Sequence, residues 1–261
     1  MSKIGVFNAI KQGDICTLTS KLEENPDFAS ASILFKWTVM HEAAQRGRAT
    51  MIELLVQKGS TVIDTLSNAS RTPMFLAAEK GHASTIEILV QMGSQAIDSL
   101  NEISELTPMY VAAQEGHVSV IETLVRLGST SIDTLTKRGW TPMHVAASKG
   151  HVSVIETLVR LGSTAIDALN TRGVSPLYMA LMDKKWECVD RLKELGADRS
   201  IAQLSSLTPK YLNLLDKPID ESKSAKARYR VYFNQSCVSR LLFHLDTAKR
   251  PSSPSTRYLL E

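Results

Sequence analysis

The sequence predicts an all-helical solenoid, a stack of short helical hairpins joined by projecting fingers. Three observations predict it. One segment recurs in register through most of the chain, each copy carries Thr or Ser and glycine at fixed places, and apolar residues between these marks fall at helical spacing.

The stretch TPMHVAASKGHVSVIETLVRLGS, Thr141 to Ser163, repeats TPMYVAAQEGHVSVIETLVRLGS from Thr107 with few changes. Thr38, Thr72, Thr107, Thr141 and Ser175 open copies at steps of 34, 35, 34 and 34, and Pro follows in all but the first. A degenerate copy precedes them, because Phe7, Ala9 and Gly13 stand one period before His41, Ala43 and Gly47. Copies therefore start near residues 4, 38, 72, 107, 141 and 175, within a repeat domain at 1–206. Thr208-Pro209 begins a shortened further copy, and 207–261 is set apart as a helical cap and basic tail.

Each element has its own cause. Thr or Ser before Pro starts a helix, the hydroxyl accepting from free amides while proline takes the first turn at no cost in hydrogen bonds. Gly47, Gly81, Gly116 and Gly150 end that helix by accepting a left-handed backbone. The second helix follows on Val118, Ile121, Leu124 and Val125 and ends at Gly128. Between copies, Ile132 and Leu135 recur as Ile63/Leu66, Ile97/Leu100 and Ile166/Leu169, which suggests extended runs with an exposed, β-hairpin-like turn. The pairs Ala77-Ala78, Ala112-Ala113 and Ala146-Ala147 let neighbouring helices approach, and one hairpin alone cannot bury its apolar face.

TPMHVAASKGH resembles the ankyrin repeat, whose pattern includes T-P-L-H-x-A-A followed by G-H. The chain departs from it where fingers read GSTxID, one residue longer than usual, and where Lys184 replaces the glycine of copy six. The resemblance implies a non-enzymatic scaffold that holds a protein partner in a concave groove, with no cofactor. It places the partner-binding residues before each capping Thr, at Trp37, Arg71, Leu106 and Trp140. Others follow the Ala pairs, at Arg46, Lys80, Glu115 and Lys149, and in the fingers, at Lys137, Arg138 and Arg172. Trp37 and Trp140 are the expected anchors, since binding energy concentrates in Trp, Tyr and Arg. The family's His41 and His144, like His82, His117 and His151, are assigned to packing, because Phe75, Tyr110 and Tyr178 occupy the first of these positions elsewhere.

Composition excludes several alternatives. Cys16, Cys188 and Cys237 have no paired spacing, which argues against disulfides and zinc and suits a reducing cytosol. The start lacks an export signal, no run is long enough to span a membrane, and no phosphate loop, nucleophile elbow or H-E-x-x-H helix occurs. Trp186 is placed in the core. Residues 217–261 hold 9 Lys and Arg against 4 Asp and Glu, net +5 within an overall +3, leaving −2 elsewhere. Such a tail is open to nucleic-acid or membrane contact, or to completing an enzyme that the repeats serve, but capping of the last repeat is favoured. Cys237, His244 and Asp246 are the only candidate nucleophilic set, and seven helical residues separate the first two by about 10.5 Å. The expected protein is a cytoplasmic monomer. It is also similar to ankyrin effectors that intracellular bacteria deliver into host cells, which implies secretion information in residues 242–261.

Overall fold

A computed structural model describes residues 3–198, all within the compact unit Met1–Ser206. Helices pair into hairpins in chain order: α1 (Lys3–Gln12) with α2 (Ile15–Glu24), α3 (Val39–Gln45) with α4 (Ala49–Gln57), and α5 (Pro73–Glu79) with α6 (Ala83–Gln91). They continue as α7 (Pro108–Glu115) with α8 (Val118–Arg126), α9 (Pro142–Lys149) with α10 (Val152–Arg160), and α11 (Pro176–Met182) with α12 (Trp186–Glu194). The shortened copy at Thr208 and the proposed cap lie outside the described residues.

Hydroxyls start the first helix of copies two to six. Thr38, Thr72, Thr107, Thr141 and Ser175 accept from the amides of His41, Phe75, Tyr110, His144 and Tyr178 at 3.1–3.3 Å. These helices form one continuous layer, α3 on α5, α5 on α7, α7 on α9 and α9 on α11, while α4, α6, α8, α10 and α12 form the other. The alanine pairs between them are wholly buried, which removes the side-chain bulk that would hold the axes apart. Ile121 and Leu124 are buried, whereas Val118 and Val125 are only partly so. Trp186 shares the position of Val118 and is likewise partly buried, so it is a margin residue and not the core residue that its spacing suggests.

The fingers differ in detail from the extended runs that the sequence suggests. Among the described residues they contain short 3-10 turns, Ala96–Asp98, Ser131–Asp133 and Ala165–Asp167, and no strand. The turns take in Ile132 but not Leu135, and the finger of Ile63 and Leu66 has the same spacing without one. Only the closing loop is hairpin-like, with Thr136 N–H donating to Trp140 O at 3.0 Å and Gly139 N–H to Thr136 O at 2.8 Å.

Each closing loop turns on a left-handed residue two places before the capping Thr or Ser. Gly139 and Gly173 fill it at φ 70°, but Lys36, Ser70 and Glu105 carry side chains there at φ 55°, 51° and 55°. The left-handed backbone costs an L residue about 1–2 kcal/mol, and glycine's greater freedom when unfolded returns about 0.5–1 kcal/mol of that. Ser70→Gly is therefore expected to stabilise the protein by about 0.5 kcal/mol, seen as a higher urea midpoint.

Candidate partner-binding surface

Where the first helix of each copy ends, the chain turns two residues away from the buried alanines. Arg46, Lys80, Glu115 and Lys149 are exposed there, and their neighbours Gln45, Glu79, Gln114 and Ser148 are partly buried. Successive helices thus present one exposed charge each at the same point of the repeat. Arg46 is steadied by Glu42, Nε to Oε1 at 2.5 Å, and Glu79 is shared by Arg71 Nη1 at 3.3 Å and Lys80 Nζ at 3.6 Å. The Arg71 guanidinium also lies over the Phe75 ring, 5.7 Å from its centre.

Trp37 and Trp140 are partly buried, not exposed as expected from sequence, because each ring leans on a wholly buried histidine. Trp37 and His41 have centroids 5.3 Å apart, and Trp140 and His144 6.5 Å. Their polar ends differ. Trp37 Nε1 donates to Glu42 Oε2 at 2.9 Å, but copy five has Val145 at that position and the shielded Trp140 Nε1 has no partner among the described residues. Leu106 at the equivalent place is partly buried and Val174 is buried, so this position is not uniformly open.

The histidines are engaged within the stack. His41 Nε2 donates to Arg71 O and His144 Nε2 to Val174 O, each at 2.9 Å, while their Nδ1 atoms face the Thr38 and Thr141 hydroxyls at 2.7 and 2.8 Å. A carbonyl can only accept, so the proton sits on Nε2 and Nδ1 accepts. Burial holds both histidines below their ordinary pKa, against the opposing effect of those carbonyls. His82, His117 and His151 donate from Nε2 to Gln45 O, Glu79 O and Gln114 O of the preceding copy at 3.1, 3.1 and 2.9 Å. Among the described residues no three His, Cys, Asp or Glu side chains gather as metal ligands would. Cys237, His244 and Asp246 lie outside the described residues.

In the fingers Lys137 pairs with Glu105, while Arg138 and Arg172 are exposed and form no ion pair among the described residues. Neighbouring tips are tied through backbone, Asn68 N–H donating to Phe35 O at 2.9 Å and Thr171 N–H to Arg138 O at 3.1 Å.

Sequence reasoning missed the ladder beneath these tips. Asp98 accepts from Ser129 Oγ at 2.5 Å and from Thr130 N and Oγ1 at 2.9 and 3.0 Å. Asp133 holds Ser163 and Thr164 in the same way, and Asp64 holds Ser94 and the amide of Gln95. Burial raises the Asp98 pKa, but the bonds from Ser129, Thr130 and Ser131 outweigh it and hold the carboxyl below its usual range. The serine after glycine and the Ile-Asp pair that recur in these fingers were the available signal; their pairing across copies was not visible within one. Asp133→Ala leaves three donors of copy five without their acceptor and is expected to cost about 2 kcal/mol by urea unfolding. Because the folded pKa is lowered, the Asp98 contribution is fully present above the ordinary carboxylate pKa and is lost as pH falls from there through the lower folded value.

A stack of capped helical pairs with hydrogen-bonded fingers and an exposed row of varied charges defines a repeat scaffold of the protein-binding class. The family model for ankyrin repeats matches residues 6–99, 93–168 and 109–203, and the chain belongs to that family. The crystal structure of the human ASB11 ankyrin repeat domain is similar in fold, with a TM-score of 0.70 at 20% identity over 88% of this chain and 97% of that one. No curated protein matches the chain. No helix of the described residues is long and apolar enough to cross a membrane.

Proposed function

We propose that the chain is a monomeric, non-enzymatic scaffold that captures a protein partner on the face formed by the ends of its first helices. Ankyrin repeats are protein-interaction modules, and one observation carries the finer reading: Arg46, Lys80, Glu115 and Lys149 are exposed at one repeat position beside wholly buried alanines. A position that packing does not dictate is free to choose a partner. Trp140 adds a partly exposed aromatic ring. The test is affinity capture with Trp140→Ala and Lys149→Glu variants. Loss of one prey with an unchanged melting curve supports the surface, and identical prey from all proteins overturns it. The host-cell delivery that the family resemblance implies is tested separately in a translocation assay: absence of delivery of the full chain removes that idea, and delivery unchanged by deleting residues 242–261 removes the secretion information expected in that segment.

A further inference from the structure

Apart from Ile4 and Ile15, every exposed large apolar side chain among the described residues lies in a finger. Three occupy the same finger position: Leu100, Leu135 and Leu169 are 51%, 58% and 50% exposed, with Leu66 partly buried in line with them. Ile103, 70% exposed, lies three residues beyond Leu100 in the same finger. Leucine recurs where solvent contact favours a polar residue, and nothing within the fingers covers it.

The interval between these leucines is that between copies. The first helices of adjacent copies pack directly, which sets it at about 10 Å. The Asp98 and Asp133 bonds to the next copy hold the fingers to the same interval. An α-helix advances about 10.5 Å in seven residues and returns nearly to the same face. A strand covers about 10 Å in three residues but then points the opposite way. Proline-rich ligands match the length but dock on aromatic-lined grooves, and this row is aliphatic.

Charge supplies the rest of the description. Beside Leu135 and Leu169 stand the exposed Lys137, Arg138 and Arg172, of which the two arginines form no ion pair among the described residues. Beside Leu100 stands the exposed Glu102. The occupant is therefore acidic at the end that lies over the fingers of copies four and five.

We infer that the fingers bind an amphipathic helix of the partner protein, about 20 residues long, with apolar residues every seven positions and carboxylates toward one end. This rests on the reading of the chain as a protein-binding scaffold and names the partner's chemistry. The test uses fluorescently labelled synthetic peptides and the full chain. One peptide carries Leu at seven-residue intervals with Glu flanking its last two leucines; a second has the same composition at five-residue intervals; a third replaces Glu with Lys; a fourth is proline-rich with Leu every third residue.

The first peptide is expected to bind at least about tenfold more tightly than each of the others, and Leu100→Ser/Leu135→Ser/Leu169→Ser to weaken it by about tenfold or more. The three side chains are half exposed, so the variant's melting curve serves as the folding control. Absence of binding, equal binding of the five-residue peptide, or preference for the proline-rich peptide overturns the inference. The Trp140→Ala and Lys149→Glu variants keep every finger leucine. If peptide binding survives in them and fails only in the leucine variant, the finger site stands even where the helix-end surface has failed. A natural partner lost by Trp140→Ala but retained by the leucine variant overturns the finger site alone.

Discussion

Gly81→Ala is expected to destabilise the protein by about 2 kcal/mol, through two effects that a neighbouring glycine separates. Gly81 has φ +79°, and a β-carbon there would stand 2.7 Å from Nδ1 of the His117 ring. The backbone conformation costs about 1–2 kcal/mol, of which removing glycine's freedom in the unfolded chain returns about 0.5–1 kcal/mol. Displacing the ring then breaks the bond from His117 Nε2 to Glu79 O, which joins copies three and four, at about 1–1.5 kcal/mol more. Gly93 supplies the control, since its φ is +96° but nothing lies within 4 Å of the added carbon. Gly93→Ala carries only the backbone cost, so the difference between the two urea-unfolding free energies measures the His117 contact. Equal losses would show that the ring moves aside freely.

His144→Ala is expected to cost about 3–4 kcal/mol, the sum of a buried cavity and lost partners for Val174 O and Thr141 N–H. His144→Tyr, which copies the residue at Tyr110 and Tyr178, is expected to cost about 1.5 kcal/mol or less. The same site sets a pH dependence. His41 and His144 have lowered pKa values in the folded state, so the unfolded chain binds more protons. Their stability is fully present above the ordinary histidine pKa of 6.5 and declines as pH falls from there through the folded values. Each adds a slope of at most about 1.4 kcal/mol per pH unit. Urea unfolding across this range should show the slope, and His144→Tyr should remove one histidine's share. An unchanged slope would assign the dependence to other groups.

The fold was legible because its marks are local. A hydroxyl before proline, a glycine nine residues later and apolar residues at helical spacing each act within one hairpin, and their recurrence from Thr38 to Ser175 declares the stacking. What escaped notice crosses between copies. Asp98 has no role within its own finger, and its acceptor function exists only when Ser129 and Thr130 arrive from the next. The tryptophans show a related limit. Trp37 and Trp140 occupy one repeat position, yet a residue five places on, Glu42 or Val145, decides whether the indole N–H is satisfied. Lys184 was legible as a departure, and the structure gives its consequence, a left-handed φ of 56° where the other copies use glycine.

Neighbours joined by a carboxylate at one edge and by histidines through the middle have little freedom to slide. Asp64, Asp98, Asp133 and Asp167 bridge the four intervals from copy two to copy six with the same short side chain, so this part of the array behaves as a graduated rule with a fixed tick spacing. Any molecule that engages several copies together must match that gauge in its own features, and one whose features are spaced otherwise is rejected by length before chemistry is consulted. Lengthening a single rung, as Asp133→Glu would, should therefore disturb recognition of a long ligand more than that of one confined to a single pair of copies.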